Sequence, residues 1–208
     1  MRGFPFSTAE RWALGIAAVV MLLHASGLGD AFEYRRALLA NEPWRLLTGH
    51  LVHINWPHAV INAAALLIVA RLFAPDLTAP RQLVVLISAG AVIGLGLAAL
   101  APGILWYRGL SGVLHALFFA GAAKWLVSVR QLTARALWLP AALFAGGWIK
   151  VALEQPAGDA LPYADWLGAA VVPQAHLLGA ACGSVLGLLL ALADRRSTEQ
   201  RDKQKHRQ

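Results

Sequence analysis

The chain has 208 residues, of which 58% are apolar and only 14% are charged, and its mean hydropathy is +0.57. These values exclude a disordered chain, which needs low hydrophobicity, and they argue against a soluble domain, in which about a quarter of the residues is charged. A single cysteine, Cys182, excludes an internal disulfide and a zinc site built from several thiolates. The net charge of +7 can be interpreted only when the positions of the basic residues are known.

Six apolar stretches follow one another along the chain, at residues 12–28, 56–73, 83–100, 110–127, 136–153 and 172–193. Each is long enough to cross a bilayer as an α-helix, allowing for a few residues at each boundary. Pro57 and Pro173 lie in the first turn of the second and sixth stretches, where proline is tolerated. The sequence therefore predicts an all-α membrane protein with six transmembrane helices in residues 12–193, between an N-terminal segment at 1–11 and a basic tail at 194–208.

The basic residues are distributed unevenly between the two sides of such a bundle. If the N-terminus is cytoplasmic, thirteen of the 18 Lys and Arg residues fall inside and five fall outside. Because positive residues accumulate on the cytoplasmic side, this distribution predicts that both termini are cytoplasmic. The tail at 194–208 holds six of the thirteen, so we interpret it as a topology anchor rather than as a nucleic-acid-binding segment.

Polar residues are concentrated where the second, fourth and sixth stretches begin. These stretches all run from outside to inside, so their first turns lie at one depth. They carry His58 and Asn62, Ser111 and His115, and His176, respectively. Polar side chains inside a membrane are costly and usually face the bundle interior. Residues four apart share a helix face, so the pattern predicts one polar cluster just below the outer surface.

These residue types are the parts of an acyl-transfer site. A serine hydroxyl becomes a nucleophile when a base takes its proton, and histidine is the usual base near neutral pH. Ser111 lies in the run Gly-Leu-Ser-Gly, whose glycines permit a tight turn. Asn62 and His58 can donate N–H groups to an oxyanion. The parts needed for acyl transfer are present, and no acidic residue of a predicted span is placed to orient the base as an aspartate does in a triad.

Two of the predicted helices carry small residues at every fourth position: Gly179, Gly183 and Gly187 on the sixth, and Gly112, Ala116 and Ala120 on the fourth. Such stripes allow two helix backbones to approach closely. Their contact would bring His176 within reach of Ser111.

Together these motifs resemble the rhomboid family of intramembrane serine proteases. The resemblance rests on His58-xxx-Asn62, on Gly-Leu-Ser-Gly at 109–112, on Ala-His-Leu-Leu-Gly at 175–179 followed by Gly183, and on Trp44-Arg45 and His53 in the first outer loop. It covers essentially all six stretches and implies a rhomboid-like six-helix bundle. It also implies Ser111 as nucleophile and His176 as general base in a dyad without an acid. We expect no metal and no other cofactor. The implied oxyanion hole consists of His58, Asn62 and the backbone N–H of Ser111.

One position departs from the family pattern. Many rhomboid proteins carry a tyrosine four residues after the serine, where it packs on the catalytic histidine, whereas this chain has His115. Taken alone, His115 would be a hydrogen-bonded core histidine. Beside His176 it is also a candidate for orienting the base.

The compact core and the run Gly-Leu-Ser-Gly-Val-Leu-His resemble the rhombosortase branch, which is associated with removing C-terminal Gly-Gly-type sorting tails from exported proteins. This resemblance implies a multi-pass protein of the bacterial inner membrane whose site faces the periplasmic or outer side. The expected partners are the lipid bilayer and transmembrane protein substrates with a C-terminal membrane tail, and no nucleic acid. A second membrane protein is kept open as a partner.

Two other classes of function stay open at this point. A catalytically inactive rhomboid-like scaffold would bind transmembrane helices, but such a protein should have lost Ser111 or His176. A metal-dependent protein could hold Zn²⁺ with His58, His115 and His176, but this would leave the serine unexplained.

Two charged residues close the fifth stretch. Lys150 and Glu154 are four apart, so we predict an i,i+4 ion pair on the helix flank, with a role in substrate entry as the alternative.

Overall fold

The computed structural model describes residues 7–129, 134–155, 168 and 171–205. Its elements, in chain order, are α1 (Thr8–Ala25), α2 (Gly29–Phe32), β1 (Tyr34–Arg35), a 3₁₀ turn (Arg36–Leu38), α3 (Arg45–Thr48), α4 (Trp56–Leu72), α5 (Ala79–Leu100), β2 (Trp106–Tyr107), α6 (Ser111–Val129), α7 (Ala134–Glu154) and α8 (Pro173–Lys205). Three of the cations assigned above to the inner side, Arg2, Arg130 and Arg207, lie outside the described residues.

Five helices of the described chain are long and apolar enough to cross a membrane: α1, α5, α6, Ala136–Glu154 of α7 and Pro173–Arg201 of α8. Helix α4 is also apolar, but it has only 17 residues, which span about 25 Å at 1.5 Å per residue. The chain is therefore a mostly helical, multi-pass membrane protein, as the sequence predicts. The second predicted span corresponds to the shorter helix α4.

The contact between α6 and α8 follows the predicted stripes of small residues. On α8, three glycines face three small residues of α6: Gly179, Gly183 and Gly187 against Gly112, Ala116 and Ala120. A Cβ atom on any of the three glycines would overlap backbone atoms of α6. The two backbones therefore touch, which places the first turn of α8 beside the first turn of α6.

At the other end of α6, ion pairs join three helices. The Lys124 Nζ atom of α6 lies 3.0 Å from the Asp194 carboxylate of α8, and Arg81 of α5 donates to the same carboxylate at 2.8 Å. Pairing is what makes the buried Lys124 ammonium tolerable in this position. Helix α8 continues without a break into the predicted tail at 194–208. The ion pairs hold Asp194, the first residue of that tail, against α5 and α6.

A short antiparallel ribbon fixes the loop between α1 and α4. Strands β1 and β2 pair with Tyr34 opposite Tyr107. Arg45, 5% exposed, donates from Nη1 to the backbone carbonyls of Asp30 and Glu33, each at 2.9 Å. The Trp44-Arg45 motif thus contributes a buried cation that ties the loop together. The sequence did not predict the ribbon, since two-residue strands are too short to show an alternating pattern. Because β2 leads directly into α6, the ribbon positions the start of that helix.

Candidate active site

Ser111 is the first residue of α6 and follows a tight turn at Gly109. The φ angle of Gly109 is +132°, which residues with a side chain rarely adopt. Its amide N–H donates to the Gly49 carbonyl at 3.1 Å, and its own carbonyl accepts from the Tyr107 hydroxyl at 2.5 Å. The turn therefore requires glycine, as predicted, and fixes the direction in which Ser111 enters the helix.

His176, in the first turn of α8, lies between a hydroxyl and a carboxylate. Its Nε2 atom is 2.9 Å from the Ser111 Oγ atom, and its Nδ1 atom is 2.9 Å from the Glu154 Oε2 atom. An ionised carboxylate can only accept, so in the neutral imidazole Nδ1 carries the proton and donates to Glu154. The Nε2 lone pair is then free to accept the hydroxyl proton of Ser111. The predicted pairing of Ser111 with His176 is present in the structure.

The expectation that no acidic residue lies beside the histidine is wrong. Glu154 is the last residue of α7, is 3% exposed and contacts His176 directly. Its Oε1 atom also accepts from the Lys150 Nζ atom at 2.8 Å, which confirms the predicted i,i+4 pair. The spacing in the sequence showed that Lys150 and Glu154 share a face of α7, but it could not show that this face meets α8. One usable signal was that Glu154 closes the fifth predicted span at the end of the bundle where the sixth span, with His176, begins.

His115 stacks on His176 and hydrogen-bonds at both of its ring nitrogens. The two ring centroids are 4.1 Å apart, with an angle of 19° between the planes. The Lys150 Nζ atom, which can only donate, lies 2.7 Å from His115 Nε2. His115 Nδ1 therefore carries the proton and donates to the Ser111 carbonyl at 2.7 Å. His115 is therefore held at both ring nitrogens, with one face of its ring against His176.

His58 and Asn62 lie on the first turns of α4, and both are buried. The Asn62 Nδ2 atom donates to the His58 carbonyl at 2.8 Å. His58 packs so closely on Gly109 that a Cβ atom there would lie 2.8 Å from the His58 ring. These contacts place the two residues beside the turn that carries Ser111.

One cavity joins all the predicted site residues. It has a volume of about 610 Å³, and its lining includes His58, Asn62, Ser111, His115 and His176. The cavity continues from this polar end along α4 and α6, where its walls are apolar. It is therefore suited to an apolar chain segment with one polar group at its end.

The Rhomboid domain family profile matches residues 40–193, about three quarters of the chain. The chain belongs to the rhomboid family. Rhomboid proteins are intramembrane serine proteases that act on membrane proteins in the bilayer. No match was found among curated proteins.

Two further histidines of this rhomboid protein, His50 and His53, lie in the loop before α4 and have structural contacts. His50 Nε2 lies 3.1 Å from the Gly90 carbonyl, and His53 Nε2 accepts from the Leu110 amide at 3.4 Å. Burial lowers the pKa of His50 to about 4 and the pKa of His53 to about 3, so both rings are neutral at physiological pH. Structural hydrogen bonding accounts for both. The sequence did not indicate that His53 would hold the residue before Ser111.

Within the described part of the chain, the side chains that could jointly reach a metal ion are His115, Glu154 and His176, whose ligand atoms lie within 4.8 Å of one another. The set of metal ligands considered from the sequence had His58 in place of Glu154. The two imidazoles are nearly parallel, so their in-plane lone pairs do not converge on one point. Lys150 also occupies one of the histidine nitrogens and one of the carboxylate oxygens. This arrangement favours proton transfer over metal binding.

Proposed function

We propose that this rhomboid protein is an active intramembrane serine endopeptidase, with Ser111 as nucleophile and His176 as general base. The observation that carries the proposal is the 2.9 Å contact between Ser111 Oγ and His176 Nε2, at the polar end of a cavity large enough for a peptide segment. An inactive scaffold that binds transmembrane helices would have no need for this contact.

In the proposed reaction, His176 Nε2 takes the hydroxyl proton while Ser111 Oγ attacks the scissile carbonyl carbon. The tetrahedral intermediate collapses when His176 gives that proton to the leaving amine and the C–N bond breaks, which leaves an acyl-enzyme. A water molecule, deprotonated by the same nitrogen, then hydrolyses the ester and restores Ser111.

The oxyanion of the intermediate is assigned to three donors: the Ser111 backbone N–H, the Asn62 side-chain amide and a ring N–H of His58. The first N–H groups of a helix have no acceptor within the helix, and they favour a negative charge. Asn62 and His58 support the assignment because they line the same cavity as Ser111. His115 is proposed to orient the base through its stacking on the His176 ring.

The proposed topology has six transmembrane helices in residues 12–193, with α4 as the second, and cytoplasmic segments at 1–11 and 194–208. Thirteen of the 18 Lys and Arg residues fall on the cytoplasmic side in this arrangement, which supports it. The site then faces the periplasmic side of a bacterial inner membrane.

The proposed substrates are exported proteins with a single C-terminal membrane span and a Gly-Gly-type sorting tail, as in the rhombosortase branch. A protease needs an extended segment, whereas a membrane helix has its peptide bonds paired internally. Glycine weakens a helix by about 1 kcal/mol relative to alanine and leaves the approach to Ser111 unobstructed.

A fluorophosphonate probe tests the activity directly, because it reacts only with an activated serine. The purified protein in detergent should be labelled at Ser111, and the variants Ser111→Ala and His176→Ala should not be labelled. Ser128 lies on the same helix and donates to the Lys124 carbonyl, so Ser128→Ala is the matched control and should be labelled normally. A folded wild-type protein that is not labelled would indicate the inactive scaffold. Cleavage by the purified protein alone would show that no second membrane protein is required.

A further inference from the structure

We propose that Glu154 is a positioning residue for His176, so that the serine–histidine pair of this protein works together with a carboxylate. This inference rests on the proposed protease function and departs from the dyad that the family resemblance implies. It stands on the 2.9 Å contact between Glu154 Oε2 and His176 Nδ1, which belong to residues that are 3% and 5% exposed, respectively.

The groups around Glu154 and His176 determine which atom of their contact carries the proton. Glu154 accepts at both oxygens: from Lys150 at Oε1 and from His176 at Oε2. The Nδ1–H tautomer that this requires is the one in which Nε2 can take a proton from Ser111. The carboxylate also lies where it offsets the positive charge that His176 gains when it accepts that proton.

A purely structural role for Glu154 would not require the histidine. A buried carboxylate must be paired, and Lys150, one turn away on α7, already supplies a cation. The second oxygen is nevertheless directed at the one imidazole that contacts Ser111. Lys150 also donates to His115, which stacks on His176, so the same cation holds the groups on two sides of the base.

Asp194 provides a control that lies far from the site. Its carboxylate also pairs with two cations, Lys124 at 3.0 Å and Arg81 at 2.8 Å. It lies at the opposite end of α6 from Ser111, and the described residues that line the cavity include neither of these cations. Asp194→Asn therefore reports what the loss of a doubly paired carboxylate does to the fold alone.

The experiment measures the second-order rate of fluorophosphonate labelling at Ser111, with the melting temperature of each variant. Glu154→Gln should slow labelling by about tenfold or more, because the amide can donate to Nδ1 and stabilise the opposite tautomer. Glu154→Asp should recover part of the rate. Asp194→Asn should lower the melting temperature and leave the labelling rate of the folded protein unchanged. Wild-type labelling rates in folded Glu154→Gln would overturn the role of Glu154 and leave the nucleophile assignment intact, whereas an unlabelled wild type would overturn the proposed function itself.

A second measurement does not depend on whether the Glu154 variants fold. In wild-type protein labelled with ¹⁵N-histidine, the His176 resonances, assigned by their loss in His176→Asn, should show the proton on Nδ1. A proton on Nε2 in the neutral ring would contradict the positioning role.

Discussion

The donors around Ser111 differ in how much of their hydrogen-bonding capacity is already used. The Asn62 amide carries two hydrogens, and one of them is donated to the His58 carbonyl of its own helix. The second hydrogen can be offered to a group in the cavity. His58 Nδ1 is buried and has no partner among the described residues. Because an unpaired buried polar atom costs about 1–3 kcal/mol, stability alone does not account for a histidine at this position.

Replacing Asn62 with alanine tests whether its amide serves the oxyanion. We expect Asn62→Ala to slow fluorophosphonate labelling of Ser111 by about a hundredfold, because the phosphonyl oxygen occupies the oxyanion position and loses one donor. Asn41, an exposed asparagine in the loop between α1 and α4, is the control, and Asn41→Ala should react like the wild type. An unchanged labelling rate in Asn62→Ala would show that the amide only pairs with its own helix.

At the scale of helices, the distance between α6 and α8 determines whether Ser111 and His176 meet. Ser111 and His176 both lie in the first turn of their helices, and the glycines of α8 allow the two backbones to touch one turn further on. Small-residue contacts of this kind are the usual basis of close packing in membranes, where lipid removes the hydrophobic drive for helix association. A side chain added in the contact must therefore separate the two helices at the same end that carries the site.

Gly183 is one of the positions at which a single methyl group would produce this separation. In Gly183→Ala, the added Cβ atom would overlap the Ala116 backbone, so we expect a loss of about 1–3 kcal/mol in stability and slower labelling of Ser111. On α7, Gly146 has no neighbouring atom within 4 Å of an added Cβ, so Gly146→Ala should be neutral or slightly stabilising. Thermal unfolding in detergent, followed by labelling of the folded protein, compares the two. Equal melting temperatures would mean that α6 and α8 do not pack through this stripe.

The helices and the α6–α8 contact could be predicted because both depend on patterns that repeat along the chain. The length of each apolar stretch predicts a helix, and small residues at every fourth position identify the helix face that packs against a neighbouring helix. Helix α7 has no such stripe at the height of Glu154, so its distance from α8 could not be derived. The contact between Glu154 and His176 depends on that distance. The contact between His53 and the Leu110 amide could not be derived either, because the two residues are 57 positions apart in the sequence.

At the scale of the whole molecule, the site and the ion pair between Lys124 and Asp194 lie at opposite ends of α6. Ser111 starts α6, and Lys124, paired with Asp194, lies thirteen residues later, or about 20 Å along the axis. The cavity begins at the Ser111 end and continues between apolar faces of α4 and α6. In the proposed topology, a peptide bond is therefore cleaved near the outer edge of the membrane, while the apolar part of the substrate lies deeper.

Because of this geometry, cleavage should depend on glycine at the outer edge of the substrate's membrane span. A fusion protein with a single C-terminal span, a Gly-Gly pair at its outer end and basic residues inside is the test substrate. Replacing both glycines with leucine should stabilise the local helix by roughly 2 kcal/mol and slow cleavage by about tenfold or more, since the bond must unwind before it reaches Ser111. Two leucine substitutions at the inner end of the same span leave the outer edge unchanged and serve as the control. Product masses and rates with purified enzyme provide the measurement, and equal rates for the two substrates would refute glycine-dependent selection while leaving Ser111 and His176 in their proposed roles.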